Sequence, residues 1–360
     1  MEPLKEMFNK KFYEHLAVEF NRADKKFNAS KFLKEVTQNI EHLSLNQRLR
    51  NTSIHLKNYL STDFKKATQT LFKVIPNAKS GYTALVFPDF IGLYGHDDFD
   101  TSMEALKHFT SFGSSEFAIR EFLKRDFNKT INVMNKWAKD KNHHVRRLAS
   151  EGSRPRLPWS FKLGEVIKNP KATQSILETL KADEELYVKK SVANHLNDIS
   201  KENANYMLTL VNSWDKSNIH TAWVVKHACR TLIKKGNAAS MAVFSFEKNA
   251  KIQIKNLKLN KTKIRLGESL QFDFDLVSDK NKAQKLVIDY KIHYKKNSNV
   301  SSAKVFKLKE LQLHPKQTIH ISKSQVFKDF TTRKHYSGKH KVEIFVNGKT
   351  YGFKDFELVV

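Results

Sequence analysis

Residues 142–153 read NHHVRRLASEGS. An apolar residue, Val145, is followed by Arg146 and Arg147 and then by a small, apolar helical face. Three other segments share that grammar: SSEFAIREFLKR (114–125), EELYVKKSVANHL (184–196) and NIHTAWVVKHACRTL (218–232). Phe117, Val145, Val188 and Trp223 mark the register, at spacings of 28, 43 and 35 residues. The period is irregular but close to that of two-helix solenoid repeats. Stacked repeats bring equivalent positions onto one surface. Arg120, Arg146, Arg147, Lys189, Lys190 and Lys226 are therefore expected to form a positive stripe. The plainer reading is that they flank core helices.

Working outward, residues 1–245 read as helices. Apolar residues recur at three and four spacing, as in Leu4, Met7, Phe8, Phe12 and Leu16, or Phe32, Leu33, Val36, Ile40 and Leu43. Turn residues gather at Pro76-Asn77, at Ser80-Gly81 and from Gly92 through Asp100. Near residue 245 the period changes to two, as in Phe272/Phe274/Leu276, Ile288/Tyr290/Ile292/Tyr294 and Val342/Ile344/Val346. Gly267-Glu268 and Asn347-Gly348 signal turns, the second a hairpin dipeptide. About seven short strands over residues 246–360 suggest an immunoglobulin-like β-sandwich, without the Cys…Trp…Cys core of antibody domains.

The 360-residue chain carries 64 Lys+Arg against 37 Asp+Glu, a net charge of +27. Such an excess is tolerable in a protein that meets a polyanion, and nucleic acid is the partner expected, ahead of an acidic membrane surface or protein. Residues 246–360 hold +14 of it. Loops such as KKNSN (295–299) and TTRKHYSGKHK (331–341), with Lys334 and Lys339, suit a phosphate backbone or a groove. They equally suit a Lys-guarded sheet edge. One cysteine, Cys229, makes no internal disulfide and fits a reducing cytosol. No apolar run is long enough for a membrane span and the opening is not a signal peptide. A cytoplasmic, nucleoid-associated monomer is expected.

Nucleotide-loop, zinc-protease, CxxC and GxSxG motifs are absent, so no cofactor or metal is expected. His143-His144 make a poor metal pair, and His96-Asp97-Asp98-Phe99-Asp100 reads as a loop capping the next helix. ASEGSRPRLPWSF (149–161) is unusual. Pro155 and Pro158 stiffen a loop that fixes Glu151, Arg154, Arg156 and Trp159 relative to one another. Such a loop can grip phosphates and press an aromatic face on a sugar or base. From spacing alone, an inter-repeat loop with a buried Trp is equally suited.

EFAIREFL (116–123), HVRRLASEGSRPRLPW (144–159) and VANHLNDISK (192–201) together resemble the AlkC branch of the HEAT-like-repeat DNA alkylation-repair glycosylases. MEPLKEMFNKKF at the start and LNQRLRNTSIHL (45–56) are similar too. The resemblance implies an α-helical HEAT-like-repeat solenoid, 1–245, followed by a C-terminal immunoglobulin-like domain, 246–360, that the AlkD branch lacks. It implies hydrolysis of the N-glycosidic bond of cationic N-alkylated bases, 3-methyladenine and 3-methylcytosine, in double-stranded DNA. Asp198 matches the family's catalytic carboxylate, Glu116 and Glu151 its active-site carboxylates, and Trp159 its active-site aromatic. Arg154, Arg156 and Arg147 match DNA-contacting arginines.

Elementary chemistry agrees with those roles. A cationic base departs neutral, so a general acid matters less than in ordinary glycoside hydrolysis. Negative charge beside the sugar and a held water matter more, and Asp198 is placed for both. Glu116 and Glu151 would favour a cationic base, and Trp159 would pack on it or on the deoxyribose. No lysine is marked as a Schiff-base nucleophile, so a monofunctional enzyme is expected. The other readings are a non-catalytic nucleic-acid-binding scaffold, its acids paired with arginines, and a peptide-binding solenoid.

Overall fold

The computed structural model describes residues 3–246, 249–297, 301–330 and 333–360. It divides into two compact units, Met1–Ala228 and Cys229–Val360.

The first unit is helical, and polar caps open many of its helices. Asn9 Oδ1 accepts from the Phe12 amide, Asp63 from Lys66, Asp126 from Lys129 and Asn142 from His144. Asp98, in the HDDFD run, caps the Phe99–Phe109 helix through the Thr101 amide at 3.2 Å, as expected. Buried phenylalanines tie the amino-terminal helices together. Phe20 stacks on Phe27 at 5.1 Å and on Phe87 at 6.2 Å. Each such side chain contributes roughly 1.5–3 kcal/mol through burial.

Six helices form one continuous row. Leu45–Tyr59 packs on Val86–Tyr94, then follow Glu116–Arg125, His143–Gly152, Leu186–Ile199 and Ile219–Ala228, each against its predecessor. Close approach is built into the sequence. A Cβ on Gly152 would stand 2.5 Å from Ile119 Cγ2, so only glycine lets the two central helices meet there. The helices carrying Glu116, Glu151 and Asp198 are thus consecutive members of this row.

The second unit is a β-sandwich of immunoglobulin-like type. Its strands are β1 (Ile252–Leu259), β2 (Lys263–Arg265), β3 (Ser269–Ser278), β4 (Gln284–Lys295), β5 (Ser301–Leu313), β6 (Thr318–Val326), β7 (Gly338–Val346) and β8 (Lys349–Val359). One sheet has the order β1-β3-β6 and the other β2-β8-β7-β4-β5. All pairings are antiparallel except β2 with β8. Leu270, Phe272, Phe274, Ile288, Ile292, Val342 and Ile344 lie in the core between the sheets. Asn347 and Gly348, both at positive φ, turn β7 into β8.

Helix gives way to strand after Ala242, yet the compact unit begins earlier, at Cys229. The short helices Arg230–Lys234 and Ala238–Ala242 belong with the sheets. Gly236 meets the hairpin tip: a Cβ on Gly348 would stand 2.2 Å from Gly236 Cα. Lys234 Nζ reaches the Val305 carbonyl of β5 at 3.5 Å. This cover explains why β4 is buried on both faces over Leu286–Tyr290, where strict alternation would leave Val287 and Asp289 in solvent. Burial pushes the Asp289 carboxyl up to about 6, with Lys234 and Lys307 opposing the shift.

Candidate active site

Glu116 is the first residue of its helix, where the amide dipole favours an anion. Its Oε2 accepts from Ser114 Oγ at 2.8 Å and from Arg147 Nη1. Arg147 Nη1 also donates to Ser114 Oγ at 2.9 Å, and Nη2 lies 3.4 Å from Glu151 Oε1. Arg154 Nη1 donates to that same Glu151 oxygen at 2.6 Å. On its other side Arg154 reaches Asp198 Oδ2, and Lys201 Nζ meets Asp198 Oδ1 at 2.8 Å. Acid and base alternate without a break: Glu116, Arg147, Glu151, Arg154, Asp198, Lys201. Three successive helices of the row supply the three carboxylates.

The flanking aromatics form a hollow of about 410 Å³, lined among others by Tyr82, Glu116, Arg147, Glu151, Trp159 and Tyr187. Trp159 is 70% exposed, so the loop carries a presented ring, not a buried one. Its φ of 65° lies in the left-handed region, an uncommon conformation for a bulky residue. The Tyr82 ring meets it edge-on at 6.3 Å, and the Tyr82 hydroxyl donates to Asn46 Oδ1. Burial first, then Glu116 and Asp89, raise the Tyr82 hydroxyl above its ordinary range. Trp159 also walls a second hollow of about 710 Å³ beside Arg50, Asp89, Glu121 and Phe161. That space lacks Glu116, Glu151 and Asp198.

Arg120 explains the loop's rigidity. Expected on the positive stripe, it is instead fully buried. Its Nη1 donates to the carbonyls of Gly152 at 3.0 Å and Arg154 at 2.7 Å, and Nη2 to that of Phe161. One side chain therefore ties both ends of the loop bearing Trp159 to the Glu116–Arg125 helix. Burial lowers its guanidinium to about 10, with Arg154 adding to the effect and Asp198 opposing it.

The remaining expected cations divide between interior and surface. Arg154 is buried, and its guanidinium is taken by Glu151 and Asp198, so it clamps carboxylates here instead of offering itself to phosphate. Arg156 is half-exposed and pairs with Glu202. Arg146 is turned onto Asp183 at 2.6 Å. Lys189 is buried, its Nζ donating to His220 Nδ1 at 3.0 Å, whereas Lys190 and Lys226 are exposed. In the second unit Lys334 and Lys339 are exposed. Lys295, Lys296, Arg333, Lys334 and Tyr336 border a hollow of about 420 Å³. Residues 298–299 of the KKNSN loop and 331–332 of TTRKHYSGKHK lie outside the described residues.

Sequence reasoning missed Tyr82, Tyr187, Ser114 and Lys201. Tyr82 sits in a short turn, Tyr82–Leu85, well ahead of the acids in sequence, and no spacing links it to them. Lys201 follows Asp198 by three residues, and the end of the Leu186–Ile199 helix brings it onto that carboxylate. Among the described residues no His, Cys, Asp and Glu side chains converge as a metal-binding group. Nor is any helix long and apolar enough to cross a membrane.

The site is an acid-lined, aromatic-walled hollow in a helical-repeat unit, with an immunoglobulin-like sandwich following it in sequence. Residues 106–232 match the family model of DNA alkylation repair enzymes. Residues 253–360 match that of the C-terminal Ig-like domain of the uncharacterised protein YhaZ. The chain is 38% identical to YhaZ of Bacillus subtilis over 99% of its length and all of that protein's. It superposes on the alkylpurine DNA glycosylase AlkC of Pseudomonas fluorescens, solved with DNA containing an abasic-site analogue. There the TM-score is 0.97 and the identity 45% over the whole of both chains. The chain belongs to the AlkC-type family of DNA alkylation-repair glycosylases.

Proposed function

We propose that this protein is a monofunctional DNA glycosylase acting as a monomer on double-stranded DNA. It hydrolyses the N-glycosidic bond of cationic N-alkylated bases such as 3-methyladenine and 3-methylcytosine. The observation that carries the reading is the hollow between Glu116, Glu151, Tyr82, Tyr187 and Trp159, with Asp198 two ion pairs away. A cationic base gains from the two carboxylates and from the π-faces, whereas a neutral base gains only the packing. As the C1′–N bond lengthens, positive charge moves from the base to the sugar. Asp198 stabilises that charge and orients the attacking water, taking its proton. The base leaves neutral and needs no acid.

Acids paired with arginines would also suit a non-catalytic scaffold. The presented Trp159 and the full-length similarity to an alkylpurine DNA glycosylase favour excision. Incubation with alkylated duplex DNA should release 3-methyladenine and 3-methylcytosine. DNA binding without release would favour the scaffold. Lys201, the amine beside Asp198, is ion-paired to it, so borohydride should trap no covalent DNA adduct. The sandwich unit braces the duplex through its basic loops. Deleting residues 229–360 should lower DNA affinity and excision together, and unchanged excision would refute the bracing role.

A further inference from the structure

We propose that Arg147 is a resident cation that fills the cationic-base cage of the free protein and leaves it for a phosphate when duplex DNA binds. The proposal rests on the glycosylase reading and adds an order of events to it.

Arg147 already makes the charged contacts, and one of the ring contacts, that a cationic base would want. Its planar guanidinium lies against Glu116 Oε2, 3.4 Å from Glu151 Oε1, and over the Tyr187 ring at 4.7 Å. Two carboxylates and a π-face are the recognition set for a flat, delocalised cation. The Arg147 side chain is only 12% exposed, and those of Glu116 and Glu151 are 15% and 7% exposed. While Arg147 stays, the acids are covered and their charge is offset.

Arg147 and Arg154 differ in what they can do. Arg154 is fixed by carboxylates on both sides and by its carbonyl to Arg120. Arg147 borders the hollow, so its guanidinium has a way out. A guanidinium bonds a phosphate as well as it bonds a carboxylate, in the same two-pronged geometry. Exchange of one anion for the other keeps Arg147 paired, and DNA docking supplies the cost of uncovering the two acids. The exchange uncovers two negative charges only after DNA has docked. Before docking, the resident cation keeps those acids from repelling phosphates. After docking, a base that carries positive charge is drawn into the cage and a neutral one is not.

The test uses the full chain and a permanently cationic heteroaromatic, 1-methylnicotinamide, read by quenching of Trp159 emission. Trp159→Phe subtracts the contribution of other tryptophans, and neutral nicotinamide controls for stacking alone. Arg147→Gln should bind the cation about tenfold more tightly than wild type, a difference of roughly 1.4 kcal/mol. Neutral nicotinamide should bind both alike. Undamaged duplex DNA should tighten cation binding to wild type and leave Arg147→Gln unaffected. Arg147→Lys, which keeps a cation in place, should behave as wild type and guards against misfolding of the Gln variant. Equal or weaker cation binding by Arg147→Gln, or no effect of duplex on wild type, would overturn the proposal. Excision is assayed on the same preparations. Excision without any cation effect removes the resident-cation role and leaves the glycosylase reading intact. A cation effect without excision supports the resident cation and removes the glycosylase reading.

Discussion

Arg154 places Nε and Nη2 each 2.8 Å from one oxygen of Asp198, Oδ2, in a site where the Asp198 side chain is only 4% exposed. This pairing decides how the proposed catalytic carboxylate behaves. Arg154 fixes the direction of the carboxylate, while Lys201 holds the second oxygen at 2.8 Å. The guanidinium is itself spanned between Asp198 and Glu151, so the carboxylates are positioned as one assembly.

Asp198→Asn keeps the shape and removes the charge. Excision should fall by roughly 10²–10³, the usual scale for losing one electrostatic contact to the transition state. DNA affinity should change little. The substitution also removes the charge on one side of buried Arg154, while Glu151 keeps the other, so stability should drop by about 2 kcal/mol. Urea unfolding beside an excision assay separates the two losses. Full activity in Asp198→Asn would exclude the proposed role.

Arg156 and Glu202 form a half-exposed pair beside the rigid loop, and an incoming phosphate competes with that carboxylate. Glu202→Gln should raise affinity for duplex DNA. Arg156→Gln should lower it for all sequences alike and reduce the slope of log K against log salt by about 0.9. An unchanged slope in Arg156→Gln would place Arg156 off the backbone.

His195 is fully buried between the Glu151 and Asp198 helices. Its Nδ1 donates to the Ser150 carbonyl at 3.0 Å, and Nε2 lies 3.2 Å from Thr173 Oγ1. Burial, helped by Arg154, lowers it from 6.5 to about 3. The unfolded chain therefore takes up a proton near pH 6.5 that the folded chain refuses. The stability is present above 6.5 and drains away as pH falls toward 3, by about 2 kcal/mol at pH 5. Urea unfolding of the first unit at pH 5 and 7.5 checks this, with His195→Gln expected to flatten the difference.

Asp289 has the opposite sign. Its folded value of about 6 exceeds the ordinary 3.8, because the 229–245 segment and the sheet bury it. Its contribution is complete below 3.8 and is lost as pH climbs through 6, by up to about 3 kcal/mol. Asp289→Asn should therefore stabilise the second unit at pH 8 and leave it unchanged at pH 4. Equal stabilisation at both pH values would mean that packing, not ionisation, is responsible.

Helices followed by a sandwich, and the Asn347-Gly348 turn, are legible in the residues alone, because periodicity and turn chemistry are local. The stiff loop through Pro155 and Pro158 and the segments carrying Glu116, Glu151 and Asp198 were legible for the same reason, helped by family resemblance. The partner of each charge was not legible. Arg120, Arg146 and Lys189 share the spacing of surface cations, yet side-chain direction on packed helices turns them onto carbonyls, Asp183 and His220. The segment 229–245 reads as helix, but only the packing of Gly236 on Gly348 assigns it to the sandwich. Tyr82 reaches Trp159 across a long stretch of chain that no local pattern spans. Tertiary structure alone decided which cations face solvent and which hold the acids, because burial and pairing depend on neighbours remote in sequence.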